Sequence, residues 1–186
     1  MSQSVRAHLR NVTAFVHSSL DARASKLALD SRVDYVRFLE AHAAALVPLE
    51  EALEDQGIDN VLPDWQDRAR APALRADLTA LNVAFNPLVA PNFETGEALL
   101  GAAYVLEGSR LGGQVLLGRV KEGKDPDILA ATRYLRHGQG QRLWQTFQPQ
   151  LENGASHNPE GAVEGALAAF RLFDHSFSQV LMEAIH

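Results

Sequence analysis

The feature that most constrains this chain is a glycine-rich stretch inside a helical pattern. Residues 104–116 read YVLEGSRLGGQVL, in which apolar residues recur as in an amphipathic helix although Gly108, Gly112 and Gly113 lie among them. Each glycine inside a helix costs roughly 0.5–1 kcal/mol relative to alanine, so three together cost about 2–3 kcal/mol. A cost of this size predicts that the glycines serve a purpose that a side chain would prevent.

Two purposes fit the glycine spacing. Gly108 and Gly112 are four residues apart, so on a helix they share one face and expose bare backbone there. Either a second helix packs closely against this face, or a flat, rigid ligand lies against it. A helix partner needs only alanine-sized residues, and alanine is frequent elsewhere in the chain. The sequence alone leaves both interpretations open.

Helical periodicity dominates the rest of the chain and predicts an all-α, multi-helix fold. We find no alternating strand pattern, repeat or low-complexity tract. Asp125 with Pro126, and Asn158 with Pro159, are typical helix starts, whereas Gly138 is placed to end a helix. Pro48 is expected to bend or end the second helix. The main predicted helices cover residues 4–21, 31–53, 95–122, 126–137, 141–151 and 160–185, with short helices between 54 and 82 and an irregular connector at 86–93.

Composition bounds the kind of protein further. Hydrophobic residues make up 46% and charged residues 22% of the 186, as in an ordinary globular protein. A chain of this length can bury a core as one domain, so we expect residues 1–186 to form a single domain. The chain contains no cysteine, which excludes disulfides, thiolate metal sites and thiolate-ligated haem. Histidine and carboxylates are the strong ligands that remain.

Charge and hydropathy narrow the range of partners. The net charge of −6 disfavours nucleic acid. The N-terminus lacks the apolar run of a signal peptide, and no apolar stretch approaches the ~18 residues of a membrane span. We therefore expect a cytoplasmic protein without a membrane segment, whose partner is a small molecule or another protein.

Among the seven histidines, His17 stands out because Asp21 follows one helical turn later. A lone histidine at the edge of a buried stripe is more often a packing residue than a ligand. Asp21, however, can accept a hydrogen bond from one ring nitrogen and leave the other for a metal. His42, on a largely apolar helix, is a second candidate for a pocket. The remaining five are interpreted as surface residues: His8, His137, His157, His175 and His186.

A di-iron bundle would need two Glu-x-x-His elements and further glutamates, and the chain has one such element, Glu183 to His186. The His-Glu-x-x-His pattern of zinc proteases is absent.

Two segments together resemble the signature helices of the heme oxygenases. They are LRNVTAFVHSSLD at residues 9–21 and YVLEGSRLGGQVL at residues 104–116. Length, helix order and the aromatic final helix also fit, so the resemblance spans nearly the whole chain. In particular, the chain is similar to the small bacterial, biliverdin-producing branch found beside bacteriophytochromes. The resemblance implies a single-domain, all-α heme oxygenase-like fold with haem held between a proximal N-terminal helix and a kinked, glycine-rich distal helix.

The resemblance also assigns roles to residues of this chain. It implies that His17 is the proximal ligand of the haem iron and that Asp21 orients it. Gly108 and Gly112 would let haem lie against the backbone of the distal helix. Arg10, seven residues before the histidine, corresponds to a basic residue that meets a haem propionate. Further candidates for the propionates are Arg133, Arg136 and Arg142.

One position departs from the family pattern. Well-studied members carry an aspartate directly after the first distal glycine, where it organises a water chain that delivers protons, and this chain has Ser109 there. A serine hydroxyl can hold a water but supplies neither the acidity nor the negative field of a carboxylate. We expect the proton path to run through ordered water held by backbone, Ser109 or His42.

The resemblance implies oxidative cleavage of haem to biliverdin, carbon monoxide and ferrous iron, with haem as both substrate and cofactor. The chain has no Gly-x-Gly-x-x-Gly fingerprint after a strand, so O2 reduction requires an external reductant, a ferredoxin or a flavoprotein reductase. A phytochrome is a candidate acceptor of biliverdin. Three alternatives remain: a non-enzymatic haem carrier or sensor, a related scaffold that uses a non-haem metal or none, and a purely structural helical protein.

Overall fold

The computed structural model describes residues 4–183, which form ten α-helices and one short 3-10 helix and contain no β-strand. The prediction of an all-α fold is therefore confirmed. The helices are α1 Val5–Ala24, α2 Arg32–Asp55, α3 Trp65–Arg68, α4 Ala71–Ala80, α5 Gly96–Arg110, α6 Gly113–Glu122, α7 Pro126–Ala130, α8 Arg133–Arg136, α9 Leu143–Ala155 and α10 Pro159–Glu183. The 3-10 helix, Ile58–Asn60, lies between α2 and α3. The connector at residues 83–94 is irregular, as expected.

The final helix, α10, is the platform on which the other long helices pack. Helices α5, α1 and α2 all lie against it. Phe170, Phe173 and Phe177 of its predicted inner side are buried. The Asn158 side chain accepts from the backbone N–H of Gly161 at 3.1 Å, which confirms the predicted start of this helix.

Helix α5 crosses α10 so closely that two glycines are required. A Cβ at Gly101 would lie 1.9 Å from the carbonyl oxygen of Ala162, and a Cβ at Gly165 would lie 1.9 Å from that of Ala98. These are clashes with backbone, which cannot move aside as a flexible side chain does. The close helix contact that the sequence permits at Gly108 is therefore made about two turns earlier, at Gly101.

The predicted helix over residues 95–122 is two helices, α5 and α6, which meet at a break after Arg110. At the break the backbone N–H of Leu111 donates to Gly108 at 3.1 Å and that of Gly112 donates to Ser109 at 3.3 Å. These bonds span three residues instead of four and tighten the last turn of α5. The helical pattern over residues 95–122 predicts one continuous helix, which is wrong, whereas the kink that the resemblance implies falls at this break. Gly112 and Gly113 lie at the start of α6 and not inside a helix. The cost of about 2–3 kcal/mol for three mid-helix glycines is therefore an overestimate of their effect on stability.

Of the two effects predicted for Pro48, to bend or to end α2, the second is wrong, because the helix continues through it. Proline has no N–H, so the carbonyl of Ala44 loses its helical partner. The backbone N–H of Leu88, in the irregular connector, donates to that carbonyl at 2.9 Å. The hydrogen bond lost within α2 is replaced by one that fastens the connector.

Two other boundaries differ from the prediction. The segment 126–137 breaks at Ala131 and Thr132 into α7 and α8, although Gly138, at φ +73°, does follow its end. The turn predicted at residues 152–159 begins only after Ala155, because α9 continues through Gly154. A Cβ at Gly154 would lie 2.4 Å from a methyl of Leu100, so this glycine accommodates α5 instead of ending α9.

Replacing Gly101 should test the close crossing. Gly101→Ala should lower the free energy of unfolding by about 2–3 kcal/mol, because the new methyl meets the Ala162 carbonyl. Gly118→Ala is the matched control: Gly118 lies exposed within α6 with nothing within 4 Å of a Cβ, so alanine should raise stability by about 0.5–1 kcal/mol. Urea unfolding measures both. Equal effects of the two substitutions would contradict the crossing as described.

Candidate functional site

His17 lies exposed on α1, oriented by two neighbours. Its Nδ1 is 3.0 Å from Oδ2 of Asp21, and 59% of its side chain is accessible. The ring meets the edge of Phe170 at a centroid distance of 5.9 Å and an interplanar angle of 73°. Because Asp21 occupies Nδ1, the nitrogen left for a metal is Nε2. The structure thus contains the His17–Asp21 contact that the sequence predicts.

The glycine face at the end of α5 is open. A Cβ at Gly108 would have no heavy atom within 4 Å, and at Gly112 the nearest would be the carbonyl oxygen of Ser109 at 3.6 Å. Among residues 4–183 no helix packs against these two positions, so the close helix contact is not made there and the ligand interpretation is the one left to propose. Gly113 differs, because its Cβ would lie 3.1 Å from the carbonyl oxygen of Leu135. That glycine allows α6 to approach α8.

One contact brings α1 and α5 together near these residues. The side chains of Tyr104 on α5 and Thr13 on α1 lie close to each other, and burial raises the pKa of Tyr104. His17 follows Thr13 by four residues, and Gly108 follows Tyr104 by four. Each therefore lies about 6 Å along its helix from the contact. The exposed histidine and the bare backbone belong to one region of the molecule.

The predicted propionate partners fall into two groups. Arg10 and Arg142 are exposed and have no side-chain partner among residues 4–183. Arg133 is 3.3 Å from Asp77, and Arg136 donates to Thr132 at 2.9 Å. The first two are available to an anionic ligand, whereas the other two already serve the packing of α8.

A small cavity lies beside the glycine face, between α2, α5 and α8. Its volume is about 20 Å³, which exceeds the 10–15 Å³ or so that one water molecule needs. Ten residues line it, and six of them carry polar side chains or aromatic hydroxyls: His42, Arg70, Ser109, Arg110, Tyr134 and His137. The cavity therefore suits an ordered water.

Ser109 is held at this cavity by two hydrogen bonds. Its hydroxyl donates to the carbonyl of Leu106 at 2.7 Å and accepts from Nη2 of Arg70 at 2.8 Å. The same Arg70 nitrogen also donates to Leu106 at 2.8 Å. Since a hydroxyl has one hydrogen, Ser109 has only acceptor capacity left for a water.

His42 lies among aromatic rings at the same cavity. Its Nδ1 donates to the carbonyl of Phe38 at 2.9 Å, and Phe177 meets the ring edge-on at 5.1 Å. Burial lowers the pKa of His42 to about 4, and the charge of Arg70 adds to this effect. The imidazole is neutral at neutral pH, with Nε2 as an acceptor. The sequence-based placement of His42 in a pocket agrees with this arrangement.

The interpretation of His137 as a surface residue is wrong. His137 is partly buried and lines the cavity, and its Nδ1 is 2.9 Å from Nη1 of Arg110. Burial, followed by the charge of Arg110, lowers the pKa of His137 to about 4. His8 is also partly buried, with Nε2 2.8 Å from Glu160. These contacts cannot be predicted from the sequence, because both partners are distant along the chain.

A buried charge network underlies the cavity, and sequence reasoning missed it. Nη1 of Arg68 is 2.9 Å from Glu107, and Nη2 of Arg110 is 2.8 Å from the other oxygen of that carboxylate. Glu50 accepts from the backbone N–H groups of Arg70 and Ala71 at 2.7–3.0 Å and so caps α4. Burial raises the pKa of Glu50. The signal available in the sequence was Arg68 and Arg70 two residues apart, with Arg110 inside the glycine motif.

Two other observations concern the part of the chain that the structure describes. No group of three histidine, aspartate or glutamate side chains within residues 4–183 is placed to hold a metal ion. None of the helices described is both long and apolar enough to cross a membrane. His186 of the Glu183–His186 element lies outside the described residues.

The exposed, carboxylate-oriented histidine and the open glycine face in an all-helical fold are the features that the resemblance to the heme oxygenases predicts. The crystal structures of NO- and CO-bound heme oxygenase from Neisseria meningitidis share the fold with a TM-score of 0.79 and 22% identity, covering 96% of this chain and 92% of that one. A curated protein described as heme oxygenase, from Xanthomonas campestris pv. campestris (strain 8004), is 34% identical over 142 residues, 75% of this chain and 86% of that protein. No protein-family model matches the chain. Because it is 34% identical to the Xanthomonas protein over 75% of its length, the chain belongs to the heme oxygenase family.

The pKa of His42 should make the protein sensitive to acid. Its folded-state pKa of about 4 lies below the ordinary 6.5, so its contribution to stability is complete above pH 6.5 and is lost as the pH falls towards 4. Between pH 7 and 4 the free energy of unfolding should therefore fall by about 3 kcal/mol more in the wild type than in His42→Phe. Urea unfolding at each pH measures the difference. Parallel stability profiles of the wild type and His42→Phe would contradict the lowered pKa of His42.

Proposed function

We propose that this chain oxidatively cleaves haem to biliverdin, carbon monoxide and ferrous iron with O2 and electrons from an external donor. The observation that carries the proposal is the open space at Gly108, where an added Cβ would meet no atom within 4 Å outside its own helix, in the same region as His17. A planar ligand held there would have an accessible ring nitrogen on one side and a wall without side chains on the other. Family membership supports the same substrate.

The residues present fit haem by the chemistry of their donors. His17 offers an imidazole nitrogen, which is a common ligand of haem iron. Arg10 and Arg142 offer exposed guanidinium groups, which suit the two carboxylates of a haem. Together these residues would hold the iron and the anionic edge of the substrate.

When bound, haem supplies the redox chemistry and activates O2 for oxidation of its own porphyrin ring. Asp21 fixes the orientation of the His17 ring by accepting from Nδ1. Gly108 and Gly112 leave room for the macrocycle against backbone and exclude side chains from its distal face. A neutral histidine donates less electron density than a thiolate and so does not favour O–O cleavage in the way of a thiolate enzyme.

The distal side must also hold water, because reduction of O2 takes up protons. Ser109 has a free acceptor position at the cavity, and Arg70 fixes its hydroxyl. His42 offers a second acceptor in the same cavity. Ser109 and His42 therefore replace the carboxylate of well-studied family members with neutral groups that bind water.

The electrons come from another protein. The described residues are helical and hold no strand on which a dinucleotide fingerprint could sit. We assign the donor to the ferredoxins or flavoprotein reductases and expect the reaction in the cytoplasm. A phytochrome is the proposed acceptor of biliverdin.

His17→Ala should test the ligand assignment. The variant should lose the absorption spectrum of histidine-ligated haem and at least about 99% of turnover when hemin, air and a reductase are supplied, because the iron loses its protein ligand. His157→Ala is the control, since His157 is exposed in the turn between α9 and α10. Unchanged spectra in His17→Ala would refute the assignment. Tight haem binding without biliverdin formation in the wild type would indicate a carrier or sensor instead.

Gly108→Ala should separate ligand binding from folding. The added methyl meets no protein atom, so the apo-protein should gain about 0.5–1 kcal/mol of stability. The same methyl occupies the surface proposed for haem, so haem affinity or turnover should fall about tenfold. Gly118→Ala, also in open space, should gain similar stability without any effect on haem. Equal behaviour of both variants towards haem would remove Gly108 from the site.

A further inference from the structure

The cavity beside Ser109 holds two histidines whose hydrogen-bond partners dictate opposite protonation patterns. We propose that His137 presents an Nε2–H donor and His42 an Nε2 acceptor to the cavity, so that they orient water there, and that Arg110 is the positioning residue that fixes His137. The proposal deepens the function proposed above and rests on it only for the effect on turnover. The protonation patterns themselves are properties of the protein without haem.

Arg110 can only donate, and its own position is fixed. Its Nη2 donates to Glu107 at 2.8 Å and to the backbone carbonyl of Arg68 at 2.7 Å. Its Nη1 is 2.9 Å from Nδ1 of His137. A guanidinium has no acceptor and stays charged in proteins, so Nδ1 must supply the lone pair. The neutral imidazole of His137 therefore carries its hydrogen on Nε2, which has no partner among residues 4–183.

His42 has the opposite pattern for the same kind of reason. Its Nδ1 is 2.9 Å from the carbonyl oxygen of Phe38, which can only accept. Nδ1 therefore carries the hydrogen, and Nε2 is left as an acceptor. Both imidazoles are neutral well above pH 4, because burial lowers the pKa of each.

The other polar groups of the cavity favour the same orientation of a bound water. Ser109 uses its hydrogen on Leu106 and one acceptor position on Arg70, so it too can only accept from a water. Arg70 and Arg110, like His137, can only donate. A cavity of about 20 Å³ holds about one water, whose lone pairs would face the donors and whose hydrogens would face His42 and Ser109. The water would have one preferred orientation.

The protonation patterns can be measured directly in the apo-protein. Long-range ¹H–¹⁵N correlation spectra of ¹⁵N-labelled protein at pH 7 distinguish the two neutral forms of each imidazole. His137→Gln and His42→Phe assign the signals by removing them. We expect His137 to be protonated on Nε2 and His42 on Nδ1. The same form for both histidines, or a protonated Nδ1 in His137, would overturn the proposal whether or not haem is turned over.

Arg110→Gln tests the positioning role. A glutamine amide can donate or accept, so the spectrum of His137 should change from one neutral form to a mixture while that of His42 stays as it is. A His137 that keeps the Nε2–H form alone would show that Arg110 does not position it. If Arg110→Gln fails to fold, which the loss of its bond to Glu107 could cause, the wild-type spectra still decide the question.

Turnover of the haem-loaded protein tests whether the reaction depends on the Nε2–H donor of His137. His137→Gln keeps an N–H donor near the position of Nε2, whereas His137→Leu has none. We expect His137→Leu to lose about tenfold in turnover at unchanged haem affinity, and His137→Gln to recover most of it. His175→Leu, an exposed histidine on α10, is the control and should match the wild type. Equal losses in the leucine and glutamine variants would show that His137 acts through packing and not as a donor.

Discussion

Direct backbone contact between α5 and α10 is the constraint on which the site depends. Gly101 and Gly165 let each helix approach a carbonyl of the other, so the first half of α5 is held in one place. The same α10 holds α1, with Phe170 against the ring of His17. Helix α10 therefore holds both α1 and α5, the two helices that form the walls of the proposed haem site. A shift of α5 on α10 would change the space between them directly.

The second half of α5 is held by charge instead of by close packing. Arg68 is fully buried and pairs with Glu107, which is also buried and is shared with Arg110. Burying such groups is expensive, and removal of one partner from a buried pair typically costs about 3–5 kcal/mol. The network lies immediately before the break between α5 and α6. It fixes the end of α5 where helical hydrogen bonding stops, and it leaves Gly108 uncovered.

The fold class and the two motifs can be predicted from the sequence, but the contacts that join distant segments cannot. Periodicity and the resemblance identified α1, the kinked glycine helix, and His17 with Asp21, because each of these depends on neighbours within a few residues. The burial of His137 cannot be predicted from the sequence because its partner, Arg110, is 27 residues away along the chain. Periodicity alone does not predict the break at Leu111, because apolar spacing continues across it. The approach of Gly113 to the carbonyl of Leu135 is a contact between distant segments and has no local signal.

The double use of the Ser109 hydroxyl has a consequence for how such sites can diverge. Its hydrogen goes to Leu106 and its lone pair receives Arg70. A carboxylate at this position has no hydrogen for that carbonyl and would draw the full charge of Arg70 to itself. An aspartate could therefore not enter alone without rearranging the arginine. Positions 70 and 109 form a coupled pair, and we expect them to vary together among relatives.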